Sequence, residues 1–114
     1  MGKGGIELQQ GGLRLALRPD LGGAIAGLWF DGVPVLRSCE PQDLRGARES
    51  ACFPLVPYSN RIALRQFSWA GRSYTLAANS DEPHNLHGTG WLDAWQVLES
   101  SASRVTLQLS LIHI

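Results

Sequence analysis

At 114 residues the chain has room for one small domain and is short for an all-β sandwich enzyme, which often runs to about 200 residues or more. Hydrophobic residues make up 44% and charged residues 18%, enough apolar surface for a core and unlike the composition of a disordered chain. Ten basic and ten acidic side chains cancel, and neither sign gathers into a block that could track a nucleic-acid backbone or an anionic membrane, so a neutral partner fits better.

The opening, MGKGGIELQQGG, lacks the apolar core of a secretory signal, and the most apolar stretch, residues 21–30, is too short to cross a bilayer. A cytoplasmic protein is expected, with Cys39 and Cys52 as reduced thiols rather than a bridge. Leu13, Leu15 and Leu17 alternate with Arg14, Ala16 and Arg18, which predicts a half-buried strand with the leucines on one face. Pro19-Asp20-Leu21-Gly22-Gly23 breaks it. Residues 24–30 then read as a core strand, Asp31-Gly32 as a tight turn, and residues 33–36 as the partner strand of a hairpin. Residues 38–50 carry prolines, charges and Gly46, and predict a loop with one helical turn around 43–48.

Further on, residues 67–69 and 72–76 flank Ala70-Gly71 as a second hairpin, the glycine taking the positive φ such turns require. Residues 94–99 and 104–111 give two more strands, the latter alternating Val105, Leu107, Leu109 and Leu111 with polar residues. No segment shows a sustained helical period and turn signals recur at short intervals, so the fold class is all-β, a sandwich or barrel. The chain stops at Leu111-Ile112-His113-Ile114, inside an apolar strand pattern, as a truncated chain or one with a foreign tail would. One incomplete domain over residues 1–114 is expected, with an unpaired strand edge and exposed apolar faces such as Leu107 and Leu109 that favour aggregation.

Two segments concentrate polar groups between strands, where loops on a rigid sheet present binding residues. In Phe53-Pro54-Leu55-Val56-Pro57-Tyr58-Ser59-Asn60-Arg61-Ile62 the prolines restrict the path and aim Ser59, Asn60 and Arg61 at a set place. A guanidinium fork beside an amide suits sugar hydroxyls; a surface arginine paired with a carboxylate is the plainer reading, and composition alone favours it. In Glu82-Pro83-His84-Asn85-Leu86-His87-Gly88-Thr89-Gly90-Trp91, the histidines suit proton transfer or hydrogen bonding, and Trp91 could offer a flat face to a pyranose. A capped loop with a buried tryptophan is the structural alternative. His84 and His87 lack further ligands for a zinc site, Ser59 lacks a nucleophile elbow, and Asp81, Glu82 and Asp93 read as solvated loop charges.

Taken together, the order of these motifs resembles the aldose 1-epimerase (galactose mutarotase-like) family over most of the chain. Leu21-Gly22-Gly23-Ala24-Ile25 with the Asp31-Gly32 turn is similar to the family's opening strands. Pro57-Tyr58-Ser59-Asn60-Arg61-Ile62 and Asn85-Leu86-His87-Gly88, placed around the 67–76 hairpin, are the specific part. Thr89 stands where the commonest family pattern has a second glycine, as in a divergent branch.

The resemblance implies the N-terminal part of a mostly antiparallel supersandwich, acting on a monosaccharide, an aldohexose such as glucose or galactose, without cofactor or metal. It places Arg61 and His87 in the sugar site, with Asn60 as an adjacent candidate and His87 as a site histidine rather than the general acid. The family reaction interconverts α and β anomers: a glutamate takes the anomeric proton, a histidine protonates the ring oxygen, and the opened ring recloses on the other face. That acid and base lie beyond the matched region, and His113 lacks the context of the family's acid, so the isolated chain is expected to have little or no activity. The resemblance implies neither a nucleic-acid nor a membrane partner, and leaves the oligomeric state open. A carbohydrate-binding module without turnover is the rival. A sugar-phosphate relative ranks lower, since only Arg61 and Arg65 lie near the first motif.

Overall fold

The computed structural model describes residues 5–110, and these contain strands and short 3-10 turns but no α-helix. In chain order the strands are β1 (Ile6–Gln10), β2 (Leu13–Arg18), β3 (Ala24–Phe30), β4 (Val33–Pro34), β5 (Arg61–Ile62), β6 (Gln66–Trp69), β7 (Arg72–Thr75), β8 (Asn85–Leu86), β9 (Gln96–Ser100) and β10 (Val105–Gln108). Every strand pairing is antiparallel. The chain packs as two compact units, one made of residues up to 54 and from 91 onward, the other of residues 55–90.

In the first unit, β1 to β4 form a sheet in sequential order. β2, β3 and the β3–β4 hairpin follow the expected pattern. Asp31 (φ 50°) and Gly32 (φ 82°) both take positive φ, as a two-residue hairpin turn requires. β4 ends at Pro34, earlier than expected, although the Val35 amide still donates to the Leu28 carbonyl at 2.8 Å. β1 is an addition: Ile6 and Leu8 alternate with polar residues too briefly to stand out, and pairing with β2 makes the strand.

The leucine face of β2 is not the main buried one. Ala16 is fully buried, Leu17 is 4% exposed and Leu13 is 47% exposed. The core gathers Ala16, Ala24 and Ala26 against Leu44 and Ala47, with Leu21, Trp29, Cys39, Phe53 and Trp91 half-buried around them. Small methyl groups let the loop lie close on the sheet, which leucines on that face would have held away. That loop carries two 3-10 turns, Pro41–Asp43 and Ala47–Glu49, where one helical turn was expected.

Arg18 fixes this layer to the sheet. Its guanidinium is nearly buried, pairs with both Asp20 oxygens at 2.8 and 2.7 Å, and donates to the Pro41 carbonyl at 2.7 Å. The pairing holds the Asp20 carboxyl below its ordinary range and raises Arg18. Arg14 lies 4.2 Å over the Trp29 ring and bridges Glu7 and Glu40. Cys39 and Cys52 are unbridged, and burial pushes the Cys39 thiol up.

β9 and β10 form a hairpin that begins and ends within a few residues of expectation, with a register shift at Thr106/Leu107. Leu107 and Leu109 are half-buried rather than exposed, whereas Val97 and Leu98 on β9 are the open apolar positions. Leu111 and His113 lie outside the described residues.

Candidate functional site in residues 55–90

Within the second unit, β6 and β7 make the expected hairpin, with Ala70 (φ 50°) and Gly71 (φ 77°) at its turn and the Phe67 and Tyr74 rings stacked at 5.2 Å. The two polar motifs, more than twenty residues apart in sequence, pair directly: Arg61 of β5 lies opposite Leu86 of β8, and Ile62 opposite Asn85. The antiparallel ladder continues one step past the strands, because the His87 amide donates to the Asn60 carbonyl at 2.9 Å, while the Gly90 amide donates to the Val56 carbonyl at 3.0 Å in a separate parallel bridge between Val56 and Gly88. Asn60, Arg61 and His87 therefore occupy neighbouring ladder positions.

His87 has φ 61°, a left-handed conformation uncommon for a residue with a Cβ. Its Nδ1 lies 2.7 Å from the Ser59 carbonyl oxygen. A carbonyl can only accept, so Nδ1 carries a proton and donates it to Ser59. Gly88 follows at φ 67°, packed so closely on the Val56 backbone that a Cβ would collide with the Val56 carbonyl. The Asn60 amide oxygen accepts from the Arg61 amide at 2.9 Å, a local turn that fixes its side chain.

Arg61 is about half-exposed, its side chain at 48%, and forms a fork-to-fork pair with Glu82: Nε donates to Oε1 at 2.6 Å and Nη2 to Oε2 at 2.9 Å. This raises the Arg61 guanidinium. The plainer reading of Arg61, a carboxylate-paired arginine, is thus present in the structure, and Glu82 is its partner rather than an isolated solvated charge. Arg65 serves the same loop, donating through Nη2 to the Glu82 carbonyl at 2.6 Å. His84 is turned to structure as well: its Nδ1 accepts from the Leu64 amide at 2.9 Å, steadying a residue with φ 53°.

Asn79 is the residue that sequence reading missed. Its side-chain amide accepts from the Leu86 amide at 3.0 Å and donates to the carbonyls of Leu86 at 2.9 Å and Gly88 at 2.6 Å, bracketing His87 on both sides. The only signal was an asparagine in a polar loop, where turn residues are expected anyway. Trp91 goes the other way. It belongs to the first unit, half-buried against the alanine core, with the Arg48 guanidinium 5.6 Å over its ring. No cluster of three or more metal-binding side chains forms among the described residues.

The sequence pattern of aldose 1-epimerases matches residues 5–113. The chain belongs to the aldose 1-epimerase family. The uncharacterized protein YphB of Escherichia coli (strain K12) is 41% identical over 101 residues, which are 88% of this chain and 34% of YphB. The crystal structure of a candidate aldose 1-epimerase from Escherichia coli K12 superposes with a TM-score of 0.81 at 38% identity, covering 90% of this chain and 35% of that one. A galactose mutarotase-like protein from Clostridium acetobutylicum shares the fold at 22% identity and a TM-score of 0.66, over 90% of this chain and 33% of that one. The architecture is thus part of the aldose epimerase β-sandwich, and the chain spans about a third of the length of these relatives. In this family setting, Asn60, Arg61 and His87 are the residues that the two specific motifs supply.

Proposed function

We propose that the chain is the sugar-recognising part of an aldose 1-epimerase that interconverts the α and β anomers of a neutral aldose by acid/base ring opening. The observation that carries this reading is the β5–β8 pairing, which brings the backbones of Asn60, Arg61 and His87 to neighbouring ladder positions. In this reading Arg61 donates to sugar hydroxyls, and Asn60 and His87 border them. The carboxylate that takes the anomeric proton and the histidine that protonates the ring oxygen lie outside these residues, so the 114-residue chain binds sugar without turnover. We place its work in the cytoplasm, as one incomplete domain.

Optical rotation of fresh α-glucose and α-galactose tests this on the chain and on a version extended to the length of its relatives. The extended protein should accelerate mutarotation and the chain should not. Arg61→Ala and His87→Ala should each lower turnover of the extended protein by about tenfold or more with the circular dichroism unchanged. Unchanged turnover in both variants would remove the site assignment. Sugar binding by an extended protein that never accelerates mutarotation would favour a carbohydrate-binding module.

A further inference from the structure

We propose that Glu82 is a specificity-determining residue that makes the Asn60, Arg61 and His87 site prefer neutral over anionic sugars; this rests on the sugar-binding reading above. An exposed arginine on its own is a strong receptor for carboxylate or phosphate, because its Nε and Nη2 edge matches two oxygens in one plane. In this chain that edge is already filled. Glu82 takes both donors, at 2.6 and 2.9 Å, and balances the guanidinium charge. What Arg61 keeps toward a ligand is Nη1, which has no hydrogen-bond partner among the described residues and suits a hydroxyl rather than a two-oxygen anion.

The carboxylate is held in place from behind. Arg65 binds the Glu82 carbonyl at 2.6 Å and the Glu82 amide donates to Ser80 Oγ at 3.3 Å, so the loop presents Glu82 to Arg61 at reduced entropic cost. Both arginines near the first motif are therefore committed to Glu82, one to its side chain and one to its backbone. An incoming anion would have to displace the carboxylate from Arg61 and then sit beside it, whereas a hydroxyl meets neither obstacle.

Galactose and galacturonate share ring stereochemistry and differ in charge at C6, so they serve as probes, titrated against the full chain at low salt by NMR chemical shifts. The wild type should bind galactose more tightly than galacturonate. Glu82→Gln should raise the galacturonate-to-galactose affinity ratio by about threefold or more, and Glu82→Lys should raise it further. Circular dichroism establishes that each variant is folded, and the two substitutions check each other. A ratio that stays at its wild-type value in both variants, with galactose still bound, overturns the role of Glu82. If the wild type binds neither sugar, the functional reading fails first and the proposal falls with it.

Discussion

Single side chains decide whether the site and the core layer hold their shape. Asn79 makes three hydrogen bonds around His87, so Asn79→Ala should cost about 1–3 kcal/mol in urea unfolding, because it removes all three hydrogen bonds to the backbone of Leu86 and Gly88. The same variant should speed amide exchange at His87, and unaltered exchange would count against the bracket. Arg18 and Asp20 give a pH prediction with a defined sign. The folded-state carboxyl of Asp20 is held below its unfolded value, so its contribution is fully present above about pH 4 and is lost as pH falls through the lowered value. The stability gap between wild type and Asp20→Asn should accordingly be constant near neutrality and close in acid, which urea midpoints across pH would show.

At the scale of elements, turns govern which strands meet. Gly11 (φ 57°) and Gly88 (φ 67°) share a left-handed backbone but differ in surroundings: a Cβ at Gly11 meets nothing within 4 Å, while one at Gly88 strikes the Val56 carbonyl. Gly11→Ala should therefore cost about 1–2 kcal/mol, the conformational penalty alone. Gly88→Ala should cost clearly more, and should shift the NMR resonances of residues 56–61 as well as its own neighbours. Equal costs for the two would mean that the Val56 contact relaxes easily. The β3–β4 and β6–β7 hairpins were legible because their turn residues have one conformational use. The β5–β8 pairing was not legible, since each strand is two residues long and neither carries a period.

For the whole molecule, the core is thin. Among the described residues the buried hydrophobics are Ala16, Leu17, Ala24, Ala26, Leu44, Ala47 and Leu86, mostly alanines, and no large side chain is fully buried. Trp69 is 72% exposed, and Phe30, Val33 and Leu98 are also open. Alanine burial contributes little per residue, about one methyl's worth each. The chain should therefore unfold with less than about 5 kcal/mol, the low end for folded proteins, and should bind a hydrophobic dye and scatter light increasingly with concentration. A sharp, high-midpoint urea transition with no dye binding would contradict this.

By itself the sequence determined the all-β class, two of the hairpin turns, and the two motifs holding Asn60, Arg61 and His87, because alternation and turn chemistry are local properties that survive without neighbours. Only the tertiary structure decided which face of β2 is buried, because that depended on a loop some twenty-five residues away laying Leu44 and Ala47 on the alanines. Only the tertiary structure, likewise, turned Glu82 from a loop charge into the partner of Arg61 and Asn79 into the brace of His87. Such contacts are made between residues whose separation in sequence carries no period, and folding alone brings them within hydrogen-bond reach.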